Sequence, residues 1–335
     1  MAKSSARGGE GRLSVRILVV ALGIQLVLGA AIVFMAIHGF PLIGGGGTKS
    51  PAPTTATATA PGTSTTAPAP GSPLRTHRFD ASAAYALAAE QVAVGQRPAG
   101  SPQLRRLAER LRRQLPHGTF EPVPGQLGLR NIVGTLPGRK PAIVIGAHYD
   151  TLVKPQGAVG ANNGAAGTAI VIQLARDLRS VRRPAGAPEL RFLLFDGEEP
   201  AVGLPEEQRD FYDAGLRGSR ADAAAHAKQT REMLLLDYAG NRGLQLPREE
   251  TSNRRLWAQI RRAAAAVGAS SYFPDAIETA IIDDHTPYLR AGVPAVDMID
   301  WSYPGHSLSD TLDKLSVSSM DAVGETLAEL LARTR

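Results

Sequence analysis

The chain has 335 residues and no cysteine, which excludes disulfides, thiolate metal ligands and a cysteine nucleophile. The formal net charge of +6 is uneven: five Lys/Arg and one Glu precede residue 75, leaving 32 basic and 30 acidic residues in the rest. A near-neutral body with no dense basic run and 5% aromatic residues disfavours nucleic-acid binding.

In chain order, residues 1–16 carry Lys3, Arg7, Arg12 and Arg16. They precede ILVVALGIQLVLGAAIVFMAI, residues 17–37, in which only Gln25 is clearly polar. A helix of this length spans about 31 Å, which matches a bilayer core. A cleaved signal peptide would have a shorter apolar region ending in a small-x-small site, whereas this run continues into HGFPLIGGGG. An uncleaved transmembrane helix over 17–40 is expected. The positive-inside rule places residues 1–16 in the cytoplasm and the body outside, in a single-pass protein of the cell membrane. Residues 41–77 are rich in Gly, Pro, Thr and Ala, cannot bury a core, and read as a disordered linker. Residues 78–335 are long enough for one sizeable core.

In that body, residues 79–94 and 101–115 read as helices, the second with Ser101 as N-cap and Pro102 at its first position. AIVIGAH (142–148) is a short apolar run suited to a buried strand. AAGTAIVIQLARDLRSV (165–181) is a helix with small residues at its start, entered through GANNGAAG (160–167). LRFLLF (190–195) and EMLLLD (232–237) are further buried strands. SNRRLWAQIRRAAAAVG (252–268) is a helix closed by Gly268. A short helix over 286–292, a strand over 293–299 and a closing helix over 318–333 complete the series. Strands separated by helices predict an α/β fold, three-layer α/β/α with a mostly parallel central sheet. In such sheets the site lies at the carboxyl ends of the strands. His148, Glu198, Glu199 and Asp237 all fall there.

Taken singly, these residues have plainer readings. His148 alone would be an ordinary histidine at a strand end, Glu198 and Glu199 a solvated loop pair, Asp237 a turn cap and His306 a loop histidine. Together they carry an ordered pattern: HYD, then GANNGAAG, DGEE, a strand-ending Asp, and a late His followed by SLSDT. This pattern resembles metallopeptidase family 28, which holds zinc aminopeptidases and the animal-type glutaminyl cyclases. VGQRPAGSPQLRRLAERL and NIVGTLPG (131–138) are similar to the segments that open the family's domain. The resemblance covers about residues 79–335.

The chemistry can be stated independently. Hydrolysing an amide at neutral pH needs an activated water and a Lewis acid on the carbonyl, and two metal ions about 3.5–4 Å apart supply both. Zinc accepts imidazole and carboxylate when cysteine is absent. A free carboxylate beside the water serves as general base. The resemblance implies His148 and Asp237 as ligands of one zinc, Glu199 and His306 of the other, and Glu198 as general base. Asp150 would orient the His148 imidazole. Asn163 stands where the family places a bridging Asp. Its neutral amide bridges two dications poorly, so the number of zinc ions, one or two, stays open. Asp284, in DDHTPYL, is either the catalytic acid seen in the cyclases or a helix N-terminal residue. His285 reads as structural, and Asp310 as a turn residue or a partner of the ligands.

The resemblance implies a membrane-anchored, extracytoplasmic zinc aminopeptidase acting on peptide or protein N-termini. The alternative is a glutaminyl-peptide cyclotransferase forming N-terminal pyroglutamate. DDHTPYLRAGVP and the long insertion after DGEE are similar to the cyclases. The cyclases' Trp before the late His is missing, and Asp297 stands where they tend to have His. A second alternative, prompted by Asn163, is an inactive peptide-binding homologue.

Overall fold

The computed structural model describes residues 74–201 and 210–335. The apolar segment 17–40 and linker residues 41–73 lie outside these; among the described residues no helix is long and apolar enough to cross a membrane. Residues 74–77, assigned to the linker by composition, are packed. Arg75 N donates to Val267 O at 2.9 Å, and Thr76 Oγ1 donates to Glu325 at 2.5 Å.

Helices α1 (Ala81–Val92) and α2 (Pro102–Gln114) begin where their caps predict. Asp80 accepts from Ala83 N, and Ser101 accepts from Leu104 N with Pro102 behind it. One six-stranded sheet follows, in the order β1-β2-β4-β3-β5-β8. Strands β3 (Arg139–His148), β4 (Pro188–Phe195), β5 (Thr230–Leu236) and β8 (Ala295–Met298) are parallel. Strands β1 (Thr119–Pro122) and β2 (Arg130–Leu136) form an antiparallel edge, so the sheet is mixed but mostly parallel. The short strands β6 (Arg248–Glu249) and β7 (Ile277–Glu278) pair separately.

The continuous apolar runs are explained by burial on both faces. Ile143, Ile145, Phe192, Leu194, Leu234 and Leu236 point into one cluster, with α1, α2, α3 (Gly167–Asp177), α6 (Arg254–Val267) and α8 (Val317–Arg333). The alternate residues Val144, Leu193, Phe195, Met233 and Leu235 point into the other. There they meet Ala223 of α5 (Arg217–His226), which follows the single turn α4 (Phe211–Ala214), and Tyr288 of α7 (Thr286–Arg290).

Strand β3 is central. The chain leaves it for β4 on one side and later returns as β5 on the other. The carboxyl end of β3 is therefore the switch point, where a crevice opens in sheets of this kind. His148 is the last residue of β3.

Candidate active site

Four loops deliver the predicted residues to that crevice. After β3 comes Tyr149-Asp150; after β4 comes Asp196-Gly197-Glu198-Glu199; after β5 comes Asp237-Tyr238; the last lies between β8 and α8. The loop ahead of α3 is a widened turn, Ala161–Ala166, kinked at Asn163 (φ −79°, ψ 87°) and Gly164 (φ 100°). Only glycine suits position 164: a Cβ there would lie 2.8 Å from Asp150 O and 3.1 Å from His148 Cε1. A Cβ on Gly167 would lie 2.4 Å from Leu236 O, so the small residues of GANNGAAG let α3 sit against the sheet.

The predicted ligands come together in two groups. His148 Nε2 lies 3.5 Å from Asp237 Oδ1, and its Nδ1 lies 3.5 Å from Asp150 and 3.7 Å from Glu198. His306 Nε2 lies 4.0 Å from Glu199 Oε1, and Asn163 Nδ2 donates to that same oxygen at 2.6 Å. Asp150 also accepts from the backbone amides of Glu198 and Glu199, at 3.2 and 3.3 Å, which fixes the glutamate pair relative to β3. His148, Asn163, Glu198, Glu199, Asp237 and Asp284 are all buried, whereas the His306 side chain is 49% exposed. Gly305 lets His306 approach Tyr238, whose ring meets the imidazole edge-on at 6.1 Å.

The electrostatics are those of a buried acidic nest. Burial pushes the Glu198 carboxyl well above its ordinary range; His148 pulls it down, while Glu199, Asp283 and Asp284 push it up. Burial raises Glu199 to about 8. Burial opposes charge on His148, but Glu198, Asp150 and Asp237 outweigh it and hold the imidazole well above its usual pKa. The more open His306 is lowered, chiefly by desolvation. Both His148 ring nitrogens and Glu199 Oε2 are buried with no hydrogen-bond partner. Orphaned donor atoms of nitrogen and oxygen, crowded by carboxylates, fit a bound cation, which would supply the positive charge the nest lacks.

A cleft of about 340 Å³ opens onto this nest. Glu198, Asp237, Asp283 and His306 form its polar lining, and Tyr238, Ile281, Ile282 and Trp301 are among its apolar walls. Asp283 is a lining residue that the sequence reading passed over in favour of Asp284. The adjacent carboxylate signal was visible, but which of the two faces the cleft depends on the turn. Asp284 is fully buried, with neither carboxylate oxygen hydrogen-bonded, and desolvation raises it strongly. His285 faces away, against Thr251 Oγ1 at 3.0 Å and Glu249 at 3.5 Å, in the structural place expected.

Two supporting residues bind the loops together. Asp310 accepts from Asn162 N and Asn163 N, at 2.8 and 2.9 Å, and from Tyr303 OH at 2.7 Å. Arg97, from QRPAG, is fully buried. Its guanidinium donates to Tyr149 O, Val159 O and Gly160 O, tying the loop after β3 to the loop before α3. No periodicity marked Arg97 in the sequence, because its role rests on contacts more than fifty residues away.

Comparison with known proteins agrees with this fold. A glutaminyl-peptide cyclotransferase of Bos taurus is 26% identical over 237 residues, which are 61% of this chain and 65% of the bovine one. The match thus spans just under two thirds of that relative. The solved structure of an Acidobacteriales bacterium glutaminyl cyclase superposes with a TM-score of 0.64 at 28% identity, covering 80% of this chain and 98% of that one. Nearly all of that solved chain is thus matched by about four fifths of this one. A leucine aminopeptidase precursor from Bacteroides thetaiotaomicron shares the fold, with a TM-score of 0.68 at 24% identity, over 78% of this chain and 100% of that one. Residues 131–331 match peptidase family M28. The chain belongs to that family of enzymes.

Proposed function

We propose that this protein cyclises N-terminal glutaminyl residues of peptides to pyroglutamate, with zinc held by Glu199, His306 and Asn163. The observation that carries this reading is the Asn163 amide on Glu199 Oε1 at 2.6 Å. A neutral amide where a carboxylate could balance two dications leaves a charge deficit that favours one ion over two. One Lewis acid is enough for cyclisation, because the substrate's own amine is the nucleophile and no water need be activated. The relatives at 26% and 28% identity carry the cyclase name, which supports the same direction.

When bound, zinc would polarise the side-chain amide carbonyl of the substrate's glutamine. The remaining work belongs to the protein. Asp237 and Asp283 give the cleft an acidic floor that attracts the substrate's amino group, and Trp301 and Ile282 flank the chain that follows. Glu198 takes a proton from the α-amine as its nitrogen bonds to the side-chain amide carbon. The old carbon–nitrogen bond breaks, and the same carboxyl returns the proton so that ammonia departs. A carboxyl whose pKa is raised by burial suits this exchange. Asp284, which helps push Glu198 up, keeps that proton available.

A second reading is aminopeptidase hydrolysis. It is favoured by the His148–Asp237 pair at 3.5 Å, whose unpartnered imidazole nitrogens offer a second cation a place. Mass spectrometry of a Gln-initiated and a Leu-initiated peptide, each incubated with zinc-loaded protein, separates the two. Loss of ammonia at unchanged chain length is the expected result. Release of the first residue would establish hydrolysis instead, and inertness towards both peptides would sink both readings.

A further inference from the structure

Helix α6 carries four arginines in fourteen residues, RRLWAQIRRAAAAV, and no acid. Its apolar stripe, Leu256, Trp257, Ile260, Ala264 and Val267, is buried, so its charges face outward. Arg254, Arg255 and Arg262 are exposed, and none forms an ion pair among the described residues. Two shallow clefts, of about 650 and 430 Å³, flank the helix. Each is lined by four arginines, Arg262 being common to both; of the seven, Arg248 is buried and donates to main-chain carbonyls, which leaves six arginines against two acids. Those two acids are already engaged: Asp275 with Arg261 at 2.8 Å, and Glu329 with Arg333 at 2.6 Å. At the rim of the larger cleft stands Ile277, an apolar side chain 66% exposed.

The chain enters the body on this face. Arg75 N donates to Val267 O, and the Arg75 guanidinium to Ala265 O, at the end of α6. Ala265 also lines the larger cleft. Residues 1–73 therefore depart from beside the arginines, and they contain the 17–37 apolar run, which has the length of a bilayer span. No residue lining the catalytic cleft lines either arginine cleft.

We propose that the α6 face, with Ile277 at its edge, docks the body onto an anionic lipid surface. Unpaired arginines meet the negative headgroups, an exposed isoleucine enters the interfacial zone, and the first described residues lie beside them. The contact uses no residue that lines the catalytic cleft. This inference uses no residue of the candidate metal site, and it stands or falls separately from the reading of the chemistry.

The test is cosedimentation of residues 74–335, first shown to be folded by a cooperative thermal melt, with vesicles of equal parts phosphatidylglycerol and phosphatidylcholine, against phosphatidylcholine alone. Binding is expected on the anionic vesicles only and should weaken as salt rises. Each arginine near such a surface contributes roughly fivefold, so Arg254→Glu/Arg255→Glu/Arg262→Glu, which removes three positive charges and adds three negative ones, should lose more than about 100-fold. The corresponding triple Lys variant should retain binding, and Ile277→Ser should weaken it at every salt concentration. An unchanged thermal melt shows that the charge-reversed protein is folded. Equal binding to neutral vesicles, indifference to charge reversal, or tighter binding to duplex DNA at the same salt would each overturn the proposal.

Discussion

Glu198 and Asn163 are the residues on which the chemistry turns. Glu198 lines the cleft, within 3.7 Å of His148, but is needed neither to hold the loop nor to ligate in the proposed arrangement. Glu198→Gln should therefore lower turnover by roughly 100- to 10,000-fold while metal analysis finds zinc retained. Activity near wild type would remove Glu198 from the role of proton carrier. Asn163 acts differently, since its amide donates to Glu199 Oε1, the oxygen that His306 also approaches. Asn163→Asp would trade that hydrogen bond for a like-charge contact. The chelator-treated variant should lose about 1–3 kcal/mol in urea denaturation. The same variant should bind zinc more tightly in competition titrations, because the added carboxylate complements a dication. A stable metal-free variant with unchanged zinc affinity would mean that residue 163 faces no cation.

At the scale of elements, the crevice exists because three loops are held in register with the end of β3. Arg97 does much of this through three main-chain carbonyls. Burial lowers its guanidinium to about 10, which leaves it charged at neutral pH, and Asp150 and Asp310 offset part of the desolvation. Arg97→Lys keeps the charge but not the planar fork that reaches three acceptors. It should cost roughly 2–5 kcal/mol, measured by chemical denaturation, because it strands buried carbonyls. A variant as stable as the parent would show that the two loops hold themselves. Much of this level was legible: the caps at Asp80 and Ser101, the parallel strands, and the placing of His148, Glu198, Glu199 and Asp237 at strand ends follow from local pattern. The antiparallel β1–β2 edge was not, because pairing direction depends on which strand lies alongside.

For the molecule as a whole, the buried carboxyls make stability depend on pH and on metal together. Glu199 is raised to about 8, and Glu198 and Asp284 are raised well above ordinary values, each chiefly by burial. Raised acids are protonated in the folded state at pH values where the unfolded chain has already lost the proton. The folded state then binds more protons, and its stability falls as pH rises from the ordinary carboxylate range near 4.5 towards about 8. Metal-free protein should thus melt at a higher temperature near the lower limit than near the upper. Added zinc should restore most at the upper limit, where the uncompensated negative charge is greatest. Differential scanning fluorimetry with chelator and with zinc reads this directly, and a melt of the metal-free protein that rises with pH would refute the account.

By itself the sequence determined the ordered set of nitrogen and oxygen donors, the strand–helix alternation that brings them to one edge, and the exclusion of thiolate chemistry. These follow from residue identity and from periods of a few residues. Only the tertiary structure decided that Asn163 donates to Glu199, that Asp283 and not Asp284 faces the cleft, and that Arg97 and Asp310 hold the loops. It likewise showed that residues 74–77 belong to the body and that the chain enters beside the arginines of α6. Each of these is a contact between segments far apart in the chain, where packing sets which atom of a side chain meets which partner. No local pattern encodes that choice.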